Sequence, residues 1–333
     1  MESDFLFKYI NIVGLGLIGG SIAKACRKYG VGEKIYGYDI NHNSTDFALQ
    51  NGIIDGTYDF KNEGDLTIIS SPLFTYKEIL QKISLVVEKS IIIDAGSLKG
   101  FVQPLAQEIL KEKSGNFIAC HPIAGSDKSG IENCFEDLFL NRKSIITPDD
   151  SNNKNDIRKI ELFWKRIGSE PEFMNAKEHD KILGLVSHLT QFLSFIAKED
   201  YTNGDNQILN RHFRLQNSNQ KIWSEIFKLN RENIEFYLKS FISNIDKLIA
   251  DLENQKAVLP QHDELILRRL ALVRCFVNLS DIKHYEKHAG TGFKDFTAIL
   301  EYDYNLSVLA SEKEKIIKFL TELKSKISSY DFS

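Results

Sequence analysis

Through the first half of the chain, short apolar runs alternate with longer mixed segments. Residues 9–13 (YINIV) read as a buried strand and residues 17–29 as the helix that follows it. Residues 34–39 (KIYGYD), 66–70 (LTIIS), 90–94 (SIIID), 116–120 (NFIAC) and 143–147 (KSIIT) continue the series of strands. Strands that alternate with helical segments imply βαβ units and a mostly parallel sheet. Runs apolar on both faces are what a sheet covered by helices on both sides requires. The polar stretch 148–156 (PDDSNNKND) resembles a linker, but an amphipathic helix (157–167) and one more strand (170–174) follow it. The predicted domains are therefore residues 1–174 and 175–333.

After residue 174 the period changes. Ile182, Val186, Leu189, Leu193 and Ile196 fall on one helical face. Ile222, Ile226, Ile234, Leu238, Ile245, Ile249 and Leu252 keep a similar register over a long stretch, and residues 265–277 are a further helix. Amphipathic helices of this kind bury their apolar faces on one another or on a second subunit. They are numerous for one small domain, so a homodimer is expected.

The chain has 333 residues, consistent with two domains, and a net charge of −4. That balance argues against a nucleic-acid binder, which would carry a basic face. Cys26, Cys120, Cys134 and Cys275 form no CxxC pair and no metal-ligand spacing, so they read as reduced thiols, with no metal expected. The N-terminus lacks the pattern of a secretory signal, and no apolar run approaches the ~20 residues that span a bilayer. A cytoplasmic protein with no membrane partner is expected.

Gly14-Leu15-Gly16-Leu17-Ile18-Gly19 is a GxGxxG turn that follows a strand and opens a helix. Its glycines let the backbone approach a pyrophosphate, and the helix N-terminus offers N–H groups and partial positive charge to that anion. Gly14, Gly16, Leu17, Ile18 and Gly19 are thus candidate cofactor contacts. Asp39 ends the second strand about 20 residues later, where a carboxylate holds ribose hydroxyls. Ser71, just past the third long strand, joins this set. The fold class is α/β, a Rossmann-type doubly wound sheet followed by an all-helical domain. A carboxylate at Asp39 repels a 2′-phosphate, and His42 is the one possible cation within residues 40–45, so NAD is expected over NADP.

Two further segments fall where later strands end: residues 94–100 (DAGSLKG) and 121–126 (HPIAGS). Ligands bind at the carboxyl ends of strands in open α/β sheets, and a histidine there can accept a proton near neutral pH. VGLGLIGGSIA, DAGSLKG, HPIAGSDKSGIE and VSHL, in that order, resemble the prephenate dehydrogenase family, including its arogenate-using members. HPIAGSDKSG is the most specific of these stretches. The resemblance implies NAD-dependent oxidative decarboxylation of prephenate to 4-hydroxyphenylpyruvate, in tyrosine biosynthesis. It also implies that the helical domain binds substrate and dimerises.

Residue by residue, the resemblance makes His121 the base that takes the proton of the ring hydroxyl, and puts Ser97 beside it and the nicotinamide. Lys99 is then an anion-facing or supporting cation, with a solvated turn lysine as the plain alternative. His188 matches the first histidine of the family's HLPH helix, while Gln191 stands in place of the second and Thr190 in place of the proline. Glutamine can hydrogen-bond but cannot become a cation. The family's substrate-arginine motif, roughly FRDxTRIAxSDPxLW, is matched twice and each time in part. Arg214 heads a match to its second half (RLQNSNQKIW), followed by Asn230-Arg231-Glu232. Residues 290–297 (GTGFKDFT) resemble its first half, with Ala298 where the family has arginine. Arg214 is the expected carboxylate anchor, because a guanidinium forks onto a carboxylate. The role of residues 290–297 stays open at this point. A 3-hydroxyacid or imine-reducing dehydrogenase does not suit HPIAGSDKSG. A catalytically silent NAD-binding regulatory protein is the reading from a different class, and it has no reason to retain both His121 and Arg214.

Overall fold

The computed structural model describes residues 5–125, 128–199, 206–256, 263–301 and 306–332. Ser126 and Asp127 of the HPIAGSDKSG stretch lie outside these residues. The chain divides into two compact units, Met1–Asp180 and Lys181–Ser333.

The first unit holds one eight-stranded sheet. Its strands are β1 (Phe7–Val13), β2 (Gly32–Tyr38), β3 (Gly56–Thr57), β4 (Leu66–Ile69), β5 (Ile91–Asp94), β6 (Phe117–Pro122), β7 (Lys143–Thr147) and β8 (Glu170–Phe173). Their order in space is β3-β2-β1-β4-β5-β6-β7-β8. Every described neighbouring pair is parallel except β6 with β7. The helices are α1 (Leu17–Lys28), α2 (His42–Gln50), α3 (Tyr76–Ser84), α4 (Lys99–Leu110) and α5 (Lys154–Arg166).

The predicted strands form within two residues of their expected ends, most clearly where the run is β-branched and buried. β4 (LTII) and β5 (IIID) are buried at every position, as central strands covered on both faces must be. β3 is two residues long and too short to leave a pattern. The apparent linker at 148–156 hides a helix start: the side chain of Asn153 accepts the Asn155 N–H and caps α5, which begins at Lys154.

The division between units falls in α6 (Ala176–Leu183). A wide π-helical turn (Gly184–Leu189) leads into α7 (Thr190–Ile196). Then come α8 (Gln207–Arg214), α9 (Gln220–Leu229), α10 (Arg231–Glu253), α11 (Glu264–Val277), α12 (Ile282–Tyr285), α13 (Thr291–Thr297), α14 (Leu306–Leu309) and α15 (Lys313–Ser328). Among the described residues no strand follows β8. The apolar register read across residues 222–252 belongs to two helices, not one. Asn230, with φ −107° and ψ 23°, separates α9 from α10, and its side-chain amide donates to the His188 ring. Among the described residues no helix is long and apolar enough to cross a membrane.

Candidate active site

Parallel pairing brings the carboxyl ends of β1, β4, β5 and β6 to one edge of the sheet, with Val13 opposite Ile69 and Ile69 opposite Asp94. The glycine-rich turn, Ser71 and Ser97 follow those ends, and His121 is the last residue but one of β6. Gly14 has φ +98°, and a Cβ there would strike the Ser70 and Ser71 backbone at 2.7 Å. A Cβ on Gly19 would meet the Gly14 carbonyl oxygen at 1.9 Å, so the turn and α1 can close only on glycine. Gly16 faces open space instead and caps α1 without a side chain. That combination leaves bare N–H groups at a helix N-terminus with room in front of them, which suits a pyrophosphate.

Asp39 is held by backbone N–H groups on both carboxylate oxygens. Its Oδ2 accepts the Leu15 N–H at 2.7 Å and its Oδ1 the Asn41 N–H at 2.8 Å. It lines an open cavity of about 580 Å³ with Tyr38, His42, Tyr58, Phe60 and Lys82. Lys82 is a cation the sequence argument missed, because it comes from α3 and not from residues 40–45. It pairs with Glu78 at 2.7 Å and lies over the Tyr38 and Phe60 rings. Ser70 was also missed: its Oγ donates to the Gly14 carbonyl at 2.7 Å. The Oγ of its neighbour Ser71 accepts from the Thr75 hydroxyl.

At the end of β5, the buried Asp94 organises the DAGSLKG turn. Its Oδ1 accepts the Cys120 N–H, and its Oδ2 accepts the Gly96 N–H and the Lys99 ammonium. Lys99 takes the supporting alternative rather than the anion-facing one. It is wholly buried, and its Nζ is spent on Asp94 at 2.5 Å and the Cys120 carbonyl at 2.6 Å. It therefore ties the end of β5 to the end of β6 and meets neither solvent nor an anion outside the fold. Ser97 lies half-buried in the turn between β5 and α4. Burial pushes the Cys120 thiol up to about 12, with the Asp94 charge adding to the effect, so it is no nucleophile.

His121 stands half-buried near the end of β6, and its Nδ1 lies 2.9 Å from Nε2 of His179. His179 Nδ1 lies 2.7 Å from Oδ1 of Asp180. Burial, reinforced by the positive charge of Lys99, holds the His179 pKa well below the usual histidine range. Neither residue was singled out from sequence. The signal was there in Glu178-His179-Asp180, a titratable run directly after the last strand.

In the helical unit, His188 sits in the π-helical turn and its Nδ1 accepts the Asn230 side-chain amide at 2.8 Å. Turns of this kind cluster at functional sites. Gln191 is buried and donates to the Leu215 carbonyl at 2.7 Å, next to Arg214. Arg214 ends α8, and its Nε and Nη2 both reach Oδ2 of Asp295, the former at 2.7 Å. Asp295 lies in α13, so the two partial copies of the arginine motif meet in space. Arg211, where the motif has aspartate, pairs with Glu301 at 2.5 Å. Lys294 is exposed.

Residues 22–172 match the family model described as prephenate dehydrogenase, nucleotide-binding domain, and residues 175–268 match prephenate dehydrogenase, dimerization domain. The solved prephenate dehydrogenase of A. aeolicus, in complex with hydroxyphenyl propionate and NAD+, is 31% identical. The match covers 84% of this chain and 98% of that one, with a TM-score of 0.66. The chain belongs to the prephenate dehydrogenase family. Prephenate dehydrogenase of Bacillus subtilis is 29% identical over 74% of this chain and 71% of its own length. Cyclohexadienyl dehydrogenase of Zymomonas mobilis is 28% identical over 80% and 97%. The first domain match begins inside α1, past the glycine turn, and the second ends at residue 268, before α13. Neither the turn nor the second half-motif is therefore part of the matched spans.

Proposed function

We propose that the chain is an NAD-dependent dehydrogenase that oxidatively decarboxylates prephenate to 4-hydroxyphenylpyruvate. The observation that carries this reading is His121 at the carboxyl edge of a sheet whose glycine turn fits a dinucleotide, in a chain of this family. Gly14, Gly16 and Gly19, with the N–H groups of Leu17 and Ile18, would hold the pyrophosphate, and Asp39 the ribose. When bound, NAD would supply the hydride acceptor for the carbinol carbon of the substrate. His121 draws the hydroxyl proton from the ring oxygen as that carbon is oxidised. The carbon–carboxylate bond then breaks, its electron pair aromatises the ring, and His121 returns the proton to the phenol oxygen. Ser97 orients His121 and the substrate. Arg214 anchors a substrate carboxylate on this reading, and His188 and Gln191 are further substrate contacts. Orientation and carboxylate binding are what the protein must add to a step already driven by aromatisation.

Arogenate is the second reading. Gln191 replaces a histidine of the family pattern and cannot carry a positive charge, and the Z. mobilis relative bears the broader name cyclohexadienyl dehydrogenase. The test is NADH formation, followed by absorbance, with prephenate and arogenate side by side and with NAD and NADP. No NADH from either substrate would sink the proposal. The same reading makes the protein a homodimer acting in the cytoplasm. Exposed Ile222, Leu229 and Phe236 on α9 and α10 support the pairing of subunits. Sedimentation at micromolar concentration gives a dimer on this reading, and a clean monomer of 38.1 kDa would exclude it.

A further inference from the structure

The side chain of Asp180, a residue of α6, caps the start of α4. Its Oδ1 accepts the Lys99 N–H at 2.9 Å and its Oδ2 the Gly100 N–H at 2.8 Å. The first N–H groups of a helix can only donate, and the positive end of the helix dipole favours an anion there. Oδ1 of this carboxylate also faces Nδ1 of His179. That contact places the His179 proton on Nδ1. A neutral imidazole carries one N–H, so Nε2 of His179 is then an acceptor. The low His179 pKa, caused first by burial and then by Lys99, keeps that ring neutral at working pH. The nitrogen facing Nε2 is Nδ1 of His121, at 2.9 Å, and it must therefore be the donor.

We infer that His179 and Asp180 are positioning residues that lock His121 in the Nδ1–H tautomer, so that its Nε2 is the basic nitrogen. The inference rests on the reading of His121 as the proton acceptor. Its chemistry is a balanced transfer: the substrate hydroxyl gives its proton to His121 Nε2, and the same nitrogen gives it back to the phenol oxygen. In between, the His121 imidazolium donates from Nδ1 to a neutral His179, with the Asp180 carboxylate behind it. A ring in the other tautomer would present an N–H to the substrate oxygen and could not take the proton.

The test is ¹⁵N NMR of histidine-labelled full-length protein near pH 8, with His121 assigned through the His121→Asn variant. The expected result is His121 protonated on Nδ1 and bare on Nε2. An Nε2–H tautomer in the wild type overturns the inference, whatever the activity. Asp180→Asn leaves one acceptor oxygen for three donors, the Lys99 N–H, the Gly100 N–H and His179 Nδ1–H, and removes the negative charge, so it loosens the hold on the tautomers of both rings. It should move the NMR signature and lower kcat on the order of 10²-fold or more, with KM unchanged, as other enzymes lose turnover when a base is held in the wrong tautomer. His179→Gln, whose amide oxygen can still accept from His121 Nδ1, should keep the wild-type tautomer and retain more activity than His179→Leu. Equal kcat in wild type and in folded Asp180→Asn and His179→Leu variants would also overturn it. Failure of the proposed reaction is read separately, as absence of NADH formation by the wild type, which leaves the NMR result standing on its own.

Discussion

The Lys99 ammonium lies 2.5 Å from the Asp94 carboxylate, and both side chains are wholly buried. Desolvating such a pair is costly, and removing one partner strands a charge in the interior, at a cost of about 3–5 kcal/mol. Lys99→Met should lower the stability of the first unit by that amount in urea unfolding. Adding Asp94→Asn in the same background should recover part of the loss, because the stranded charge is gone. A loss below about 1 kcal/mol for the single variant, the range of an exposed pair, would mean the pair is solvated.

His121→Asn should depress kcat by ~10²–10⁴-fold and leave KM for substrate near its original value, since a general base contributes mainly in the transition state. In the wild type, the pH profile of kcat/KM should show a limb for a group that must be unprotonated. That limb should disappear in the variant. A variant with unchanged kcat would remove His121 from the chemistry.

Arg214→Ala should act on KM instead. The guanidinium is about one-third exposed and already shares Asp295, so the loss is that of a charge-assisted hydrogen bond, about 1.5–3 kcal/mol, or ~10–100-fold in KM. Arg214→Lys should recover only part of it, because an ammonium lacks the planar fork. Should substrate binding survive intact, Lys294 and Arg211 are the next anchors to examine.

Asp39→Ser should weaken NAD binding by roughly tenfold, the worth of one charged hydrogen bond. It should also raise the use of NADP, because Lys82 already lines the same cavity. Cofactor titration by fluorescence measures both. Wild-type protein binding NADP as tightly as NAD would show that Asp39 does not discriminate.

His212 gives the protein an acid-sensitive step. Burial, with the Arg269 charge adding to it, lowers its pKa from 6.5 to about 3, and its Nδ1 contacts the Phe296 carbonyl at 2.7 Å. Between those values the unfolded chain holds a proton that the native ring does not, so stability falls as pH drops below about 6.5 and goes on falling toward pH 3. Tm measured across that range should decline less steeply in His212→Gln. Identical slopes would assign the acid sensitivity to other groups.

The sheet was legible in the sequence because its central strands are short β-branched runs buried on both faces, and strand ends carry the glycine turn, the DAGSLKG turn and His121. What lay hidden depends on distance along the chain. Lys99 reads as a turn lysine until Asp94 and the end of β6 close around it. His179 and Asp180 are 58 and 80 residues or more from their partners His121 and Gly100. Lys82 lines the cavity beside Asp39 from a helix that no local spacing connects to it. Asn230 breaks an apolar register that periodicity alone carries through.

The contact between Arg214 and Asp295 joins residues 81 positions apart, and this sets an order on the life of the chain. A ribosome adding about 5–20 residues per second has already produced the whole sheet, its nucleotide turn and His121 when Arg214 emerges. Asp295 follows several seconds later. A nascent chain stopped anywhere in that interval carries its guanidinium without its carboxylate. The sheet and its glycine turn are thus complete early in synthesis, and the Arg214–Asp295 pair can close only much later.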